Sequence, residues 1–129
     1  MGREILFRGK CLDNGEWVYG DLNHFSDGRA AIADSEQDWF LIDPATIGQY
    51  TGFKDRNGTP IFEGDIADHV YQAYPSRFFN RGIIFYDEEH ARFAHMLQSM
   101  NPELGRITTE AWEVVGNIHD NPDLIGGGK

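Results

Sequence analysis

The sequence predicts an all-β protein built from short strands. Three observations support this fold class: short runs rich in aromatic and β-branched residues, 15 glycines spread among them, and no helical spacing of apolar residues sustained over three turns. Strands punctuated by glycine in this way favour a small barrel or coiled sheets over helices. With 129 residues, 40% of them hydrophobic, the chain is long enough to bury a core without disulfides.

The N-terminal third contains three predicted strands, each next to a turn signal. Residues 16–22 follow the turn at residues 13–15, Asp-Asn-Gly, and residues 29–33 follow the turn at residues 26–28, Ser-Asp-Gly. Residues 39–42, Trp-Phe-Leu-Ile, form a continuous apolar run that ends at an Asp-Pro pair. Such a run predicts a buried strand.

Four further strands are predicted in the rest of the chain. They cover residues 66–71, 82–86, 92–97 and 112–118. Pro122 favours a short helical turn near residues 121–124, because proline suits the first position of a helix.

The charge balance is strongly acidic, with 21 Asp and Glu residues against 11 Lys and Arg residues and a net charge of −10. Residues 13–43 carry eight acids and one base, Arg29, and a second acidic segment covers residues 87–129. Such a surface repels duplex nucleic acid and anionic membranes unless a local basic patch overrides it. Duplex nucleic acid and membranes are therefore not expected as partners.

Hydropathy and cysteine content predict a cytoplasmic protein. No apolar run approaches the roughly 20 residues of a membrane helix, and residues 1–8 lack the apolar segment of a secretory signal. The chain has one cysteine, Cys11, which has no second cysteine with which to form an internal disulfide or a thiolate metal site.

Three segments together carry a resemblance to a known family. They are residues 3–20, which begin Arg-Glu-Ile-Leu-Phe-Arg-Gly-Lys and end Asn-Gly-Glu-Trp-Val-Tyr-Gly; residues 47–66, which contain Tyr-Thr-Gly-Phe-Lys-Asp-Arg-Asn-Gly-Thr-Pro-Ile-Phe-Glu-Gly-Asp; and residues 113–124, which contain Val-Val-Gly-Asn-Ile-His-Asp-Asn-Pro. In order and spacing these segments resemble the YopX-like proteins of phages and prophages, over nearly the whole chain. Residues 26–40 and 72–110 depart from that pattern.

The resemblance implies a fold and an origin but no chemistry. Because members of this family are encoded by phages, the expected compartment is the cytoplasm of a bacterial host cell. The implied fold is all-β, with an irregular coiled N-terminal sheet region over residues 1–50 and an SH3-like small barrel over residues 51–129, sharing a core. In the barrel, Asn57-Gly58 is expected to supply the positive φ of a tight hairpin turn. Gly64, Gly82 and Gly116 suit positions where a strand turns a corner.

No residue is predicted to be catalytic, to bind a cofactor or to ligate a metal. His69 follows Asp65 and Asp68, but the chain has no H-E-x-x-H motif and no Cys/His pairing. Candidate calcium loops that start at Asp34 and Asp55 lack the glycine that such a loop requires at its sixth position.

The candidate binding site lies in residues 71–81, which are predicted to form an aromatic, weakly basic loop between two strands. The chain has no acidic residue between Asp68 and Asp87. Aromatic residues beside arginine are typical of protein-binding hot spots, and they also stack on unpaired bases. The predicted partner-binding residues are Tyr71, Tyr74, Arg77, Phe78 and Phe79. In the alternative interpretation, Phe78 and Phe79 fold back over an open end of the barrel.

The leading functional hypothesis is a non-enzymatic, protein-binding accessory protein of a phage or prophage, whose partner is another protein or a second copy of itself. An acidic decoy that occupies a host nucleic-acid-binding protein is a second hypothesis, based on the acids of residues 13–43. A metal-dependent hydrolase using Asp65, Asp68 and His69 is a third. Single-stranded nucleic acid binding through residues 71–81 is a fourth.

Overall fold

The structure, a computed structural model, describes residues 4–73, 76–88, 91–97, 102–103 and 112–125, with side chains in 4–68, 81–88, 91–94 and 112–125. It confirms an all-β chain. The strands are β1 Phe7–Lys10, β2 Trp17–His24, β3 Ala30–Ala33, β4 Trp39–Ile42, β5 Gly48–Lys54, β6 Pro60–Phe62, β7 Asp65–Ala73, β8 Ser76–Asp87, β9 Arg92–Leu97, β10 Pro102–Glu103 and β11 Trp112–Asn117. Two short 3-10 helices, Pro44–Thr46 and Pro122–Leu124, accompany them. None of the helices in the described part of the chain has the length and apolarity to cross a membrane.

The chain divides into two compact units, an N-terminal unit of residues 1–50 and a C-terminal unit of residues 51–129. The sheet that starts in the N-terminal unit has the strand order β4-β3-β2-β1-β5-β6, and the second sheet has the order β10-β9-β8-β7-β11. The division falls within β5, after Tyr50.

The N-terminal unit is a coiled antiparallel sheet, as predicted. Strand β2 pairs with β1 through its first half and with β3 through its second half. The chain after β1 then returns to β4, since Cys11 forms a bridge with Ile42, Leu12 N–H donates to the Leu41 carbonyl (2.9 Å) and Asp43 N–H donates to the Lys10 carbonyl (2.8 Å). The four strands therefore curl around one face, which carries the core. This core contains Phe7, Val18, Leu22, Ala30, Ile32, Ile42 and Ile47.

Gly20 makes this tight curl possible. A Cβ atom added at Gly20 would overlap with the carbonyl oxygen of Ala33 on the neighbouring strand. No other residue type fits without a backbone shift, because only glycine leaves that space empty.

The C-terminal unit is built on the long hairpin of β7 and β8. Strand β11 pairs with the outer edge of β7, and β9 pairs with β8. The described core residues are Ile61, Ala67, Ile84, Phe93, Trp112 and Val114. Within the described residues the two edge strands, β10 and β11, are not paired with each other.

Of the three predicted corner glycines, two lie at irregular positions. Gly64 has a φ of 89° in the turn between β6 and β7, and the register between β11 and β7 shifts at Gly116. The prediction for Gly82 was wrong, because Gly82 lies inside β8 and pairs regularly with Ala67 and Leu97.

The hairpin between β5 and β6 is organised by a buried carboxylate. Asp55, 1% exposed, accepts hydrogen bonds at Oδ1 from Asn57 N–H (2.8 Å) and Thr59 N–H (2.9 Å), and at Oδ2 from Val114 N–H (2.9 Å). The positive φ predicted for Asn57-Gly58 occurs only at Gly58, at 84°. The turn is therefore a longer loop closed by Asp55 rather than the tight turn that was predicted.

The loop between β3 and β4 has the same hydrogen bonds. Asp34 Oδ1 accepts from Glu36 N–H and Asp38 N–H, both at 3.0 Å, and Asp34 N–H donates to the Asp38 carbonyl (2.9 Å). Gln37 takes the position of Gly58, with a φ of 70°. The carboxylate of Asp34 is less buried than that of Asp55, and its hydrogen bonds hold the segment that leads into β4.

Candidate functional site

The N-terminal unit exposes an apolar surface on the side of its sheet that faces away from the core. Side chains alternate between the two sides of a strand, so Trp17 and Tyr19 of β2 lie on the same side as Trp39 and Leu41 of β4. Tyr19 is 45% exposed, Trp39 55% and Leu41 40%, while Trp17 is half-buried. We call these four residues the outer face.

The alanines of β3 explain why these side chains stand in solvent. Ala33 pairs with Trp39 and Ala31 pairs with Leu41, on the side opposite the core. A methyl group is too small to cover a neighbouring indole or isobutyl side chain. The prediction that residues 39–42 form a buried strand was therefore wrong for Trp39 and Leu41, although Ile42 on the same strand is buried in the core.

Two cations of β1 contact the indole of Trp17. The Arg8 guanidinium lies 4.5 Å from the centre of the ring, and Lys10 Nζ lies 5.5 Å from it. Such contacts contribute from about 0.5 kcal/mol at exposed sites to about 2 kcal/mol where the cation is desolvated. Because Arg8 is buried, we expect its contact with Trp17 to lie near the upper value of this range. The contact therefore restrains the orientation of the Trp17 ring.

A cavity of about 570 Å³ lies in the same unit and shares Trp17 and Tyr19 with the outer face. Its described lining comprises Leu6, Cys11, Asn14, Glu16, Trp17, Val18, Tyr19, Asp34, Ser35 and Phe40. The lining is mostly apolar, with polar groups from the loop after β1 and the loop after β3. This volume falls in the usual range for sites that bind small ligands or side chains.

The charge around the cavity is negative. Glu16 and Asp34 are among its lining residues, and Asp21, exposed, lies on the same side of the sheet as Tyr19. These carboxylates belong to the acidic segment of residues 13–43. Arg8 and Lys10 at Trp17 offset part of this charge, and residues 1–50 together carry a net charge of −5.

The two acids of the hydrolase hypothesis, Asp65 and Asp68, have protein partners. Asp68 forms a two-pronged ion pair with Arg81, with Nε–Oδ1 at 2.7 Å and Nη2–Oδ2 at 3.0 Å, and this bond raises the pKa of the Arg81 guanidinium above its ordinary value. Asp65 Oδ2 accepts from Phe62 N–H (2.8 Å). The side chain of His69 lies outside the described residues. Among those that are described, no three His, Cys, Asp or Glu side chains are grouped to hold a metal ion.

Four of the five predicted partner-binding residues lie in strands β7 and β8 rather than on a loop: Tyr71, Arg77, Phe78 and Phe79. Strand β7 extends to Ala73 and β8 begins at Ser76, so the loop predicted for residues 71–81 was wrong. Tyr71 pairs with Phe78, Arg77 pairs with Gln72 and Phe79 pairs with Val70. Alternation along β8 places position 78 on one face of the hairpin and positions 77 and 79 on the other. Tyr74 lies outside the described residues.

Sequence reasoning missed the outer face altogether. The run at residues 39–42 has no polar residue to indicate which side meets water. The available signal was the small-residue strand before it, Ala-Ala-Ile-Ala at residues 30–33, which cannot cover large neighbours on both of its sides.

Comparison with known proteins gives a family and a fold. The family model described as "YopX protein" matches residues 6–126. A crystal structure of protein EF1440 from Enterococcus faecalis is similar to this chain, with a TM-score of 0.59 and 22% sequence identity, and the match covers 96% of this chain and 99% of that one. None of the curated proteins matches the chain significantly.

Proposed function

The chain belongs to the YopX protein family, and we propose that it is a phage or prophage accessory protein that acts by binding another protein through the outer face of its N-terminal unit. It performs this role in the cytoplasm of the bacterial host cell, where a single reduced cysteine such as the buried Cys11 is stable. No catalytic step is part of the proposal.

The observation that carries this proposal is the joint exposure of Tyr19, Trp39 and Leu41 on one side of a sheet. Trp39 and Leu41 are neighbours on one side of β4, and exposed apolar side chains that lie together are typical of interaction sites. Tyrosine and tryptophan contribute most of the binding energy at such sites. The surface is also rigid, because β4 is paired with β3 and with residues 11–12. A preformed surface of this kind loses little conformational entropy on binding.

A hydrolase gains no such support. The carboxylate of Asp68 is occupied by Arg81, and that of Asp65 accepts a hydrogen bond from a backbone amide, so both have structural roles. An acidic decoy of a host nucleic-acid-binding protein remains a second candidate, favoured by the net charge of −7 in residues 13–43. A decoy complex would depend on charge and would weaken steeply with salt.

Affinity capture with matched variants tests the proposal. Trp39→Ser removes the most exposed side chain of the outer face, and Phe53→Ser removes an aromatic side chain of β5 that is 45% exposed. Both variants should melt close to the wild-type temperature, because neither side chain lies in a core cluster. We expect a specific protein to be captured from cells carrying the phage by the wild type and by Phe53→Ser, and to be at least tenfold depleted with Trp39→Ser.

Equal capture by all three proteins would refute binding through the outer face. The double variant Tyr74→Ala with Phe78→Ala examines the hairpin site predicted from the sequence. Loss of capture there, with retention by Trp39→Ser, would move the binding site to the hairpin. Light scattering of the wild type and Trp39→Ser distinguishes self-association, since a homo-oligomer formed through this face would dissociate in the variant.

A further inference from the structure

We propose that the cavity that shares Trp17 and Tyr19 with the outer face receives an apolar side chain of the partner that is flanked by lysine or arginine. This inference rests on the proposed function, because it names the chemistry of the segment that the same unit binds. The occupant is a cationic, apolar stretch of another protein.

The lining sets the apolar part of that specificity. Leu6, Val18 and Phe40 contribute hydrocarbon surface, and the rings of Trp17 and Tyr19 complete it. The volume of about 570 Å³ accommodates one large side chain together with parts of its neighbours. Trp17 is held in place by Arg8, so this part of the wall is formed before the partner arrives.

Two carboxylates in the lining favour a positively charged group beside the bound side chain. Glu16 and Asp34 line the cavity, and none of its described lining residues is basic. The nearby cations Arg8 and Lys10 are both at the Trp17 ring and are not among the lining residues. Arg8 and Lys10 offset part of the negative charge at Trp17, but residues 1–50 together carry nine acids against four bases, a net charge of −5. A positive group bound in the cavity therefore meets a unit that is negative overall.

The same charges argue against a second copy as the occupant. The chain carries a net charge of −10, and residues 13–43, which supply much of the cavity, carry −7. Bringing two such surfaces together places like charges side by side, which is unfavourable. Nucleic acid and anionic lipid are disfavoured for the same reason.

The test is an NMR titration of the ¹⁵N-labelled full chain with two synthetic probes, N-acetyl-Arg-Phe-Lys-amide and N-acetyl-Glu-Phe-Glu-amide. We expect the cationic probe to cause saturable shifts within residues 14–19 and 34–40, and to bind at least tenfold more tightly than the acidic probe. Raising the salt concentration from 0.05 to 0.5 M should weaken its binding, because exposed ion pairs are screened.

Charge-neutral variants isolate the role of the carboxylates. Glu16→Gln with Asp34→Asn keeps the size of both side chains and an oxygen for the Asp34 loop, and should weaken the cationic probe about threefold to tenfold. The control, Glu88→Gln with Asp123→Asn, makes the same change in net charge at exposed positions of the C-terminal unit. Ser35→Lys adds a cation to the lining without touching the Asp34 side chain and should weaken binding similarly.

Three results would overturn the inference: equal affinity for the two probes, shifts located outside the cavity, or an equal loss in the control double variant. Each leaves the proposed function standing if Trp39→Ser still abolishes capture of the partner. If instead Trp39→Ser captures the partner as well as the wild type does, the proposed function fails whatever the probes do.

Discussion

Asp55 offers the sharpest test of how the C-terminal unit is held together. Its carboxylate is 1% exposed and accepts three backbone hydrogen bonds, from Asn57, Thr59 and Val114, at 2.8–2.9 Å. The bond to Val114 joins positions 59 residues apart, so it ties the β5–β6 loop to β11. Asp55→Ala removes all three acceptors and leaves the amide groups in a part-buried environment.

The expected cost is large. A hydrogen bond to a charged group contributes about 1.5–3 kcal/mol, and three such bonds are lost together. Part of that loss is offset, because the variant no longer has a carboxylate to bury away from water. We therefore expect Asp55→Ala to lower the free energy of unfolding by about 3–5 kcal/mol. This is a large part of the 5–15 kcal/mol that is usual for a domain. Asp55→Asn retains an acceptor for Asn57 and Thr59 but directs an NH₂ group at Val114 N–H, so its cost should be intermediate.

Asp34→Ala is the matched control, because Asp34 accepts the same two bonds within its loop and Asp34 is less buried. It should cost about 1 kcal/mol, as loss of an exposed side-chain-to-backbone cap does. Urea unfolding, followed by circular dichroism and by tryptophan fluorescence, gives both values. If Asp55→Ala and Asp34→Ala differ by less than 1 kcal/mol, the account of Asp55 as the link between loop and β11 is wrong.

Two further predictions concern the N-terminal unit. Gly20→Ala should lower the free energy of unfolding in urea by about 2–4 kcal/mol, because the added Cβ overlaps with the Ala33 carbonyl. Gly15→Ala is the control: it has open space around it but a φ of 73°, and should cost only about 1 kcal/mol. Equal costs for the two variants would contradict the close approach at Gly20. Burial, with a smaller effect of Glu4, raises the pKa of the Tyr50 hydroxyl above 10 in the folded chain. As the pH rises past 10, Tyr50 therefore ionises in the unfolded chain first, and the free energy of unfolding falls; below pH 10 the contribution of Tyr50 to stability is fully present. Tyr50→Phe should flatten that fall in unfolding measured between pH 9 and 11, and an unchanged slope would contradict it.

Strands with a local signature were predictable from the sequence. Residues 39–42 and 92–97 match β4 and β9 to the residue, because turn residues or charged breaks bound their apolar runs. Strands β1, β5 and β6 were not predicted, since their short or polar sequences become strands only by pairing with neighbours. The extension of β7 to Ala73 and the start of β8 at Ser76 likewise depend on cross-strand pairing, which the local sequence does not reveal.

The candidate site was harder to predict for a different reason. A four-residue apolar run does not reveal that its sheet curls towards Ile42 and leaves Trp39 and Leu41 outside. The role of Asp55 was equally hidden, because its partner Val114 is far away in the sequence. Local pattern thus predicts which segments form strands, whereas the curl of the sheet decides which side chains meet solvent.

The proposal that the outer face binds another protein is tested most directly by hydrogen exchange on the chain alone and in complex with the partner captured by the wild type. The account predicts slower amide exchange within residues 16–22 and 34–42 in the complex, with little change in the C-terminal unit. Slower exchange confined to residues 71–81, or absent from the N-terminal unit, would contradict it.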